Sequence, residues 1–324
     1  MNNINKRNII FKILLIIYLI LILFFSLKSL ESDIDSTNSS NEISSYLATM
    51  FRVSNNDNFK NLIRKLVGHF SFFIIFSLIS TFMYLFINKS LKYRIIFNYI
   101  SVIIFIIFSE FILEAIAINR NPSIKDALID LLGFLLGSIS IYIYFFIYRY
   151  IIDKELYLNN RLHLIYTIVL GTIYILSIIV FIILANQGIK ETQKVSKSIS
   201  EPIVDISNQV TGNKREVTNN INTFIRKLIG HFSYFIFIGF ISFLFYLSIN
   251  KIKKYYLLLI HLFIGISFSY ITEFIIEKNV YGRSPLINDF YINLSGFILI
   301  TLILIITYYL SKTVYILDKD GNKQ

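Results

Sequence analysis

The chain has 324 residues, of which 55% are hydrophobic and only 16% charged, and its mean hydropathy is +0.65; a globular domain carries roughly 25% charged residues, so a water-soluble fold is excluded. The net charge of +11 arises from Lys and Arg scattered between long Ile, Leu and Phe runs, which argues for membrane orientation and against a nucleic-acid surface. The absence of cysteine excludes disulfides, thiolate metal sites and cysteine nucleophiles.

A helix that crosses a bilayer needs about 20 mostly apolar residues. Eight such stretches begin near Ile9, Leu66, Ile95, Ala127, Leu164, Leu228, Tyr255 and Phe290. The predicted fold is an all-α integral membrane protein of about eight transmembrane helices. The first stretch follows Lys6, Arg7 and Lys12 and has no small-residue cleavage site before Glu31 to Asp35, so it reads as a retained anchor. Placing the N-terminus inside puts Lys89, Lys92, Arg94, Arg149, Lys154, Arg161, Lys251, Lys253, Lys254, Lys312, Lys319 and Lys323 in inner loops and the inner C-terminal tail. The short outer loops then hold only Arg120 with Lys125, and Lys278 with Arg283. That asymmetry predicts cytoplasmic N- and C-termini.

Two long outer segments, Ser26 to Lys65 and Asn186 to Lys227, are rich in Ser, Asn and charge. The second spaces Val195, Ile199, Ile203, Ile206 and Val210 as an amphipathic helix would, interrupted by Pro202. It reads equally as a surface-lying helix or as a solvated linker.

The sequence repeats itself. NLIRKLVGHFSFF, Asn61 to Phe73, returns as TFIRKLIGHFSYF, Thr223 to Phe235. Asn88 and Lys89 return as Asn250 and Lys251; Glu110, Glu114, Arg120, Pro122, Asp126, Asp130 and Gly133 return as Glu273, Glu277, Arg283, Pro285, Asp289, Asn293 and Gly296. Apolar composition does not reproduce rare polar residues in register, so the pattern predicts two four-helix units, residues 1–155 and 156–324. Four spans per unit is an even number, which makes the repeats parallel rather than inverted.

The polar residues cluster near the outer ends of the spans. The first set is Lys65, His69, Glu110, Glu114, Arg120, Asp126 and Asp130; the second is Lys227, His231, Glu273, Glu277, Arg283, Asp289 and Asn293. Glu110 and Glu114 share a helix face, as do Asp126 and Asp130. An ionised carboxylate in hydrocarbon costs about 2.5–3.5 kcal/mol, and Glu110 lies inside its apolar run, so it requires a partner. Arg120 is the expected counter-ion for Glu110 or Asp126, and Arg283 for Glu273 or Asp289. The cluster admits two roles: a clip between helices, or a ligand or catalytic site at the outer leaflet. His69 and His231 read either as interfacial anchors beside Arg64, Lys65, Arg226 and Lys227 or as proton-transfer or headgroup-binding groups. One His among carboxylates has no specific metal-ligand spacing, so neither a metal nor a cofactor is expected. Gly133 and Gly137 suit close helix packing, with Ile300 standing in the second unit where Gly137 would recur. P-loop, Rossmann, serine-elbow and zinc-protease motifs are absent from the sequence.

The order K-x-x-x-H-F at Lys65 to Phe70, an acidic pair on the next helix, and R-N-P-S-x-x-D-x-x-x-D-x-x-G from Arg120 to Gly133, repeated with variations from Arg283 to Gly296, resembles the VanZ-like family of bacterial membrane proteins. The acidic pair here is Glu-x-x-x-Glu, one residue longer than that family's Glu-x-x-Gln, and Asn119 or Gly282 precedes the Arg in place of Pro-Gly. The resemblance implies a bacterial cell-membrane protein acting at the outer leaflet on lipid-linked or lipophilic molecules, with a role in resistance to teicoplanin-type glycopeptides. Its partners would be membrane lipids and a lipid-linked glycan or lipoglycopeptide, with no nucleic acid. The alternatives are a membrane-embedded enzyme on a lipid or lipid-linked glycan, with Glu110 or Glu273 as general acid/base, and a small-molecule transporter.

Overall fold

The structure, a computed structural model, describes residues 3–55, 57–147, 160–188, 191–195, 197, 198, 201, 223, 224, 226–249 and 254–321. Among them there is no strand, and eight helices are long and apolar enough to cross a membrane: span 1 (Asn5–Leu30), span 2 (Arg64–Leu85), span 3 (Leu91–Ile116), span 4 (Ile124–Phe146), span 5 (His163–Ala185), span 6 (Arg226–Ser248), span 7 (Tyr255–Asn279) and span 8 (Ile287–Asp318). Their starts fall within about one turn of those read from hydropathy. Outward-facing Ile16, Leu23, Ile104 and Phe263 are more than half exposed, the surface an all-α membrane protein offers to lipid. Helices Asp33–Phe51 and Asp57–Ile63 occupy most of the first long segment. Ile199, Pro202, Ile203, Ile206 and Val210 of the second segment lie outside the described residues, as do Arg149, Lys154, Asn250, Lys251, Lys253, Lys323 and the 155/156 division.

Two compact units are present: Met1–Leu47 with Asn55–Tyr148 and Thr307–Gln324, and Ala48–Ser54 with Arg149–Ile306. In the first, Phe25, Phe73, Phe76 and Phe105 pack ring to ring, and Tyr18 stacks on Phe76 at 5.0 Å. In the second, Phe181, Phe235 and Phe268 do the same. Inside a bilayer burial against lipid gains little, so such contacts hold helices together by packing and hydrogen bonding.

Small residues decide how closely spans 2 and 4 approach. A Cβ on Gly133 would stand 2.5 Å from the Phe70 carbonyl oxygen, and one on Gly296 would collide with the Phe232 carbonyl. One turn further the two units solve the contact oppositely. Gly137 faces Ser77 in the first, whereas Ile300 fills the space over Gly239 in the second. The large and small partners have changed helices. Gly137→Ile alone is therefore expected to lower stability by about 1–3 kcal/mol through overpacking. Adding Ser77→Gly should restore most of the loss, read as the thermal midpoint in detergent; equal midpoints for the single and double variants would contradict the contact.

Polar side chains also meet midway along the spans, more than the sequence suggests. Asn98 donates to Thr81 Oγ1 at 3.1 Å and to the Tyr142 hydroxyl at 3.2 Å, and accepts from Ser80. In the second unit His261 Nδ1 lies 3.1 Å from Ser242 Oγ and Nε2 lies 2.9 Å from Thr301 Oγ1, with the ring stacked on Phe297 at 4.6 Å. These groups satisfy one another, the condition under which buried polar atoms are tolerated. At the start of span 1, Asp318 takes both Arg94 Nη atoms at 2.9 Å and Arg7 Nη2 at 2.6 Å. Arg7 and Asp318 lie at the start of span 1 and the end of span 8. Ser29 and the polar cluster lie at the other end of span 1.

Candidate functional site

In the first unit three spans converge on one polar centre. Span 2 opens with a π-helical stretch, Arg64–Ser71, and span 3 ends in another, Phe108–Leu113. In the second unit Arg226–Ser233 and Thr272–Ile276 are π-helical at the same sequence motifs. This conformation is rare and appears mostly as short bulges at functional sites. Here each widened turn carries a member of the cluster: His69, Glu110, His231 and Glu273.

Lys65 Nζ binds Asp126 Oδ1 at 2.7 Å, so this lysine is more than an interfacial anchor. His69 Nδ1 stands 3.1 Å from Asp130 Oδ1 and 3.7 Å from Glu110 Oε1. Arg120 does not pair with Glu110 or Asp126, as its position in the loop suggested. It binds Glu114 at 3.0 Å and donates to the Lys28 and Ser29 carbonyls at the end of span 1. Two causes redirect it: Lys65 already holds Asp126, and Glu114 lies one turn nearer the loop than Glu110. The helix-end carbonyls are natural acceptors for a cation.

The second unit makes the same correction. Lys227 Nζ binds Asp289 Oδ1 at 2.6 Å, and Arg283 binds Glu277 at 2.6 Å and the Ala185 carbonyl at 3.2 Å, not Glu273 or Asp289. Arg283 also donates to Thr192, a partner the sequence did not single out. His231 Nδ1 and Asn293 Oδ1 are 3.1 Å apart. Glu273 Oε1 accepts the Leu286 backbone N–H at 2.7 Å. In the first unit the seven residues thus meet through Lys65–Asp126, His69–Asp130, His69–Glu110 and Glu114–Arg120; in the second, Lys227–Asp289, His231–Asn293 and Glu277–Arg283 pair, while Glu273 bonds the Leu286 backbone.

A cavity adjoins each centre. The first, about 350 Å³, is walled by Phe24, Phe25, Ile63, Val67 and Phe72 and carries Lys28, Arg64, His69, Glu114 and Arg120. The second, about 270 Å³, is walled by Phe181, Leu184, Ile229 and Tyr234 and carries Thr192, Arg226, His231, Glu277 and Arg283. The contributions of spans 1 and 5 were not visible in the sequence. Phe25 and Phe181 occupy matching positions against Phe73 and Phe235, but these spans carry almost no polar residues to align. Among the described residues, His69, Glu110 and Asp130 are the set of possible metal-ligand groups whose ligand atoms lie within 4.8 Å of one another. No protein-family model, no curated protein and no solved structure matches this chain.

Proposed function

We propose that the chain is a tandem VanZ-like protein of the bacterial cell membrane, built by duplication of a four-span unit, with both termini cytoplasmic. Each cavity takes the anionic headgroup and proximal chain of a lipid-linked or lipophilic molecule at the outer leaflet, and sequestration of such molecules lowers the action of teicoplanin-type antibiotics. The observation that carries this is the first cavity, where aromatic and aliphatic walls meet Lys28, Arg64, His69 and Arg120 at one end of the span bundle. Small-molecule sites combine a mostly apolar lining with a few convergent polar groups in this way, and guanidinium groups suit phosphate and carboxylate. Register between the two sets of polar residues supports the duplication, and the short-loop Lys and Arg bias supports the orientation. A second role, catalysis on the same class of lipid, is favoured by the His69, Glu110 and Asp130 triad beside that cavity.

Val67 and Ile229 line the two cavities and are each 37% exposed. Because the chain has no cysteine, Val67→Cys and Ile229→Cys give single reporters. Each is expected to react with a membrane-impermeant maleimide added to intact cells, and a short-chain isoprenyl phosphate should slow that reaction severalfold. Reaction only after permeabilisation would refute the orientation, and indifference to the lipid would refute the ligand class.

A further inference from the structure

We propose that the first unit holds one divalent cation of the transition series, Zn²⁺ or Mn²⁺, between His69, Glu110 and Asp130. The three residues come from three different spans, so no sequence spacing announces them. His69 Nδ1 is 3.1 Å from Asp130 Oδ1 and 3.7 Å from Glu110 Oε1. Two ligand atoms bound tetrahedrally at about 2.1 Å from a zinc ion stand about 3.4 Å apart, so the two distances bracket what a shared ion requires.

Glu110 supplies the independent observation. Its relative exposure is 0%, it points into the triad, and neither of its carboxylate oxygens accepts from an N–H donor among the described residues; the group it meets is the carboxyl of Asp130. Asp130 is equally buried, and its Oδ2 likewise accepts from no N–H donor among them. Two buried carboxyls side by side cannot both carry charge unless a positive charge faces them; otherwise they share a proton, which a bound cation displaces. The neighbouring cations are committed elsewhere: Lys65 to Asp126 and Arg120 to Glu114. A divalent ion facing one neutral imidazole and two carboxylates is balanced in charge. Imidazole with carboxylate suits zinc or manganese better than the all-oxygen shell preferred by calcium or magnesium. His69 also lines the cavity of about 350 Å³, whereas Glu110 and Asp130 lie behind it and are fully buried.

The second unit does not repeat the site. Asn293 stands where the first has Asp130, and Glu273 turns one oxygen to the Leu286 N–H. The paired units thus divide into one metal centre and one metal-free cavity. This inference stands independently of the lipid assignment, since ion binding is read without any lipid ligand.

The test uses the full chain without a histidine tag, purified in detergent, stripped with a chelator, and titrated with Zn²⁺ and separately with Mn²⁺ by calorimetry and elemental analysis. One ion per chain is expected for at least one of the two metals, with a thermal midpoint that rises as the metal is added. Asp130→Asn and Glu110→Gln should weaken binding by more than the about 10–100-fold that loss of a supporting group costs. Glu273→Gln should leave the single ion in place. Asparagine already stands at the matching position of the second unit, so Asp130→Asn is expected to fold, which gel filtration and circular dichroism check. No bound ion in the wild-type chain, or an unchanged ion in folded Asp130→Asn, would overturn the proposal.

Discussion

Asp289→Ala is expected to destabilise the protein by about 3–5 kcal/mol, because it strands a buried ammonium. Lys227 and Asp289 approach to 2.6 Å with side chains only 2% and 5% exposed, and no other ion pair of Lys227 is present among the described residues. Replacing both partners by apolar residues, Lys227→Met with Asp289→Leu, should recover most of the loss, since the penalty comes from the unpaired charge and not from the missing attraction. The matching change in the first unit, Asp126→Ala, should cost much less. Lys65 is 31% exposed there and can turn to water. Thermal unfolding followed by circular dichroism separates the two. A midpoint for Asp126→Ala as low as that for Asp289→Ala would contradict the difference in burial.

That contrast marks the boundary of what the sequence reveals. Lys65 with Asp126 and Lys227 with Asp289 are identical pairs by motif and register, yet one ammonium reaches solvent and the other does not, because burial is set by neighbouring elements and not by the motif. The eight spans were legible because a bilayer imposes both length and apolarity on every one. The two clusters were legible because charged residues inside apolar runs are costly and therefore conspicuous. Pairing within them was not legible. The rotation of Glu114 toward Arg120 and of Glu110 toward His69 depends on π-helical turns at Phe108–Leu113 and Arg64–Ser71, which have no composition of their own. Arg94 and Arg7 read as inner-loop charges, yet they converge on Asp318 from distant parts of the chain. Asn98 and His261 are unlike residues at matching positions, and only the fold shows both hydrogen-bonded between spans.

The largest functional effect is expected from the paired substitution Glu110→Gln/Glu273→Gln. Glu110 faces the Asp130 carboxyl and His69, with which a Gln amide can also hydrogen-bond, and Glu273 holds one backbone N–H through Oε1 while Oε2 has none. Gln keeps the shape and one acceptor oxygen, so folding of the metal-free chain should change by no more than about 1 kcal/mol. Loss of the two carboxyl groups beside the cavities would nevertheless remove a cation ligand in the first unit and a candidate acid/base group in each. Both units must be altered together, because either centre alone can mask the loss of the other. If the carboxylates served only as clips, the double variant would fall in abundance and thermal stability together with its activity.

The direct measurement is therefore tolerance of a lipoglycopeptide in a sensitive host expressing equal amounts of wild-type chain and Glu110→Gln/Glu273→Gln, with membrane abundance and thermal midpoint read on the same cultures. The expected result is tolerance conferred by the wild-type chain and abolished in a double variant of unchanged abundance whose thermal midpoint equals that of the chelator-stripped wild-type chain. A stable double variant with full tolerance, or a wild-type chain that confers none, would contradict a functional site at these carboxylates.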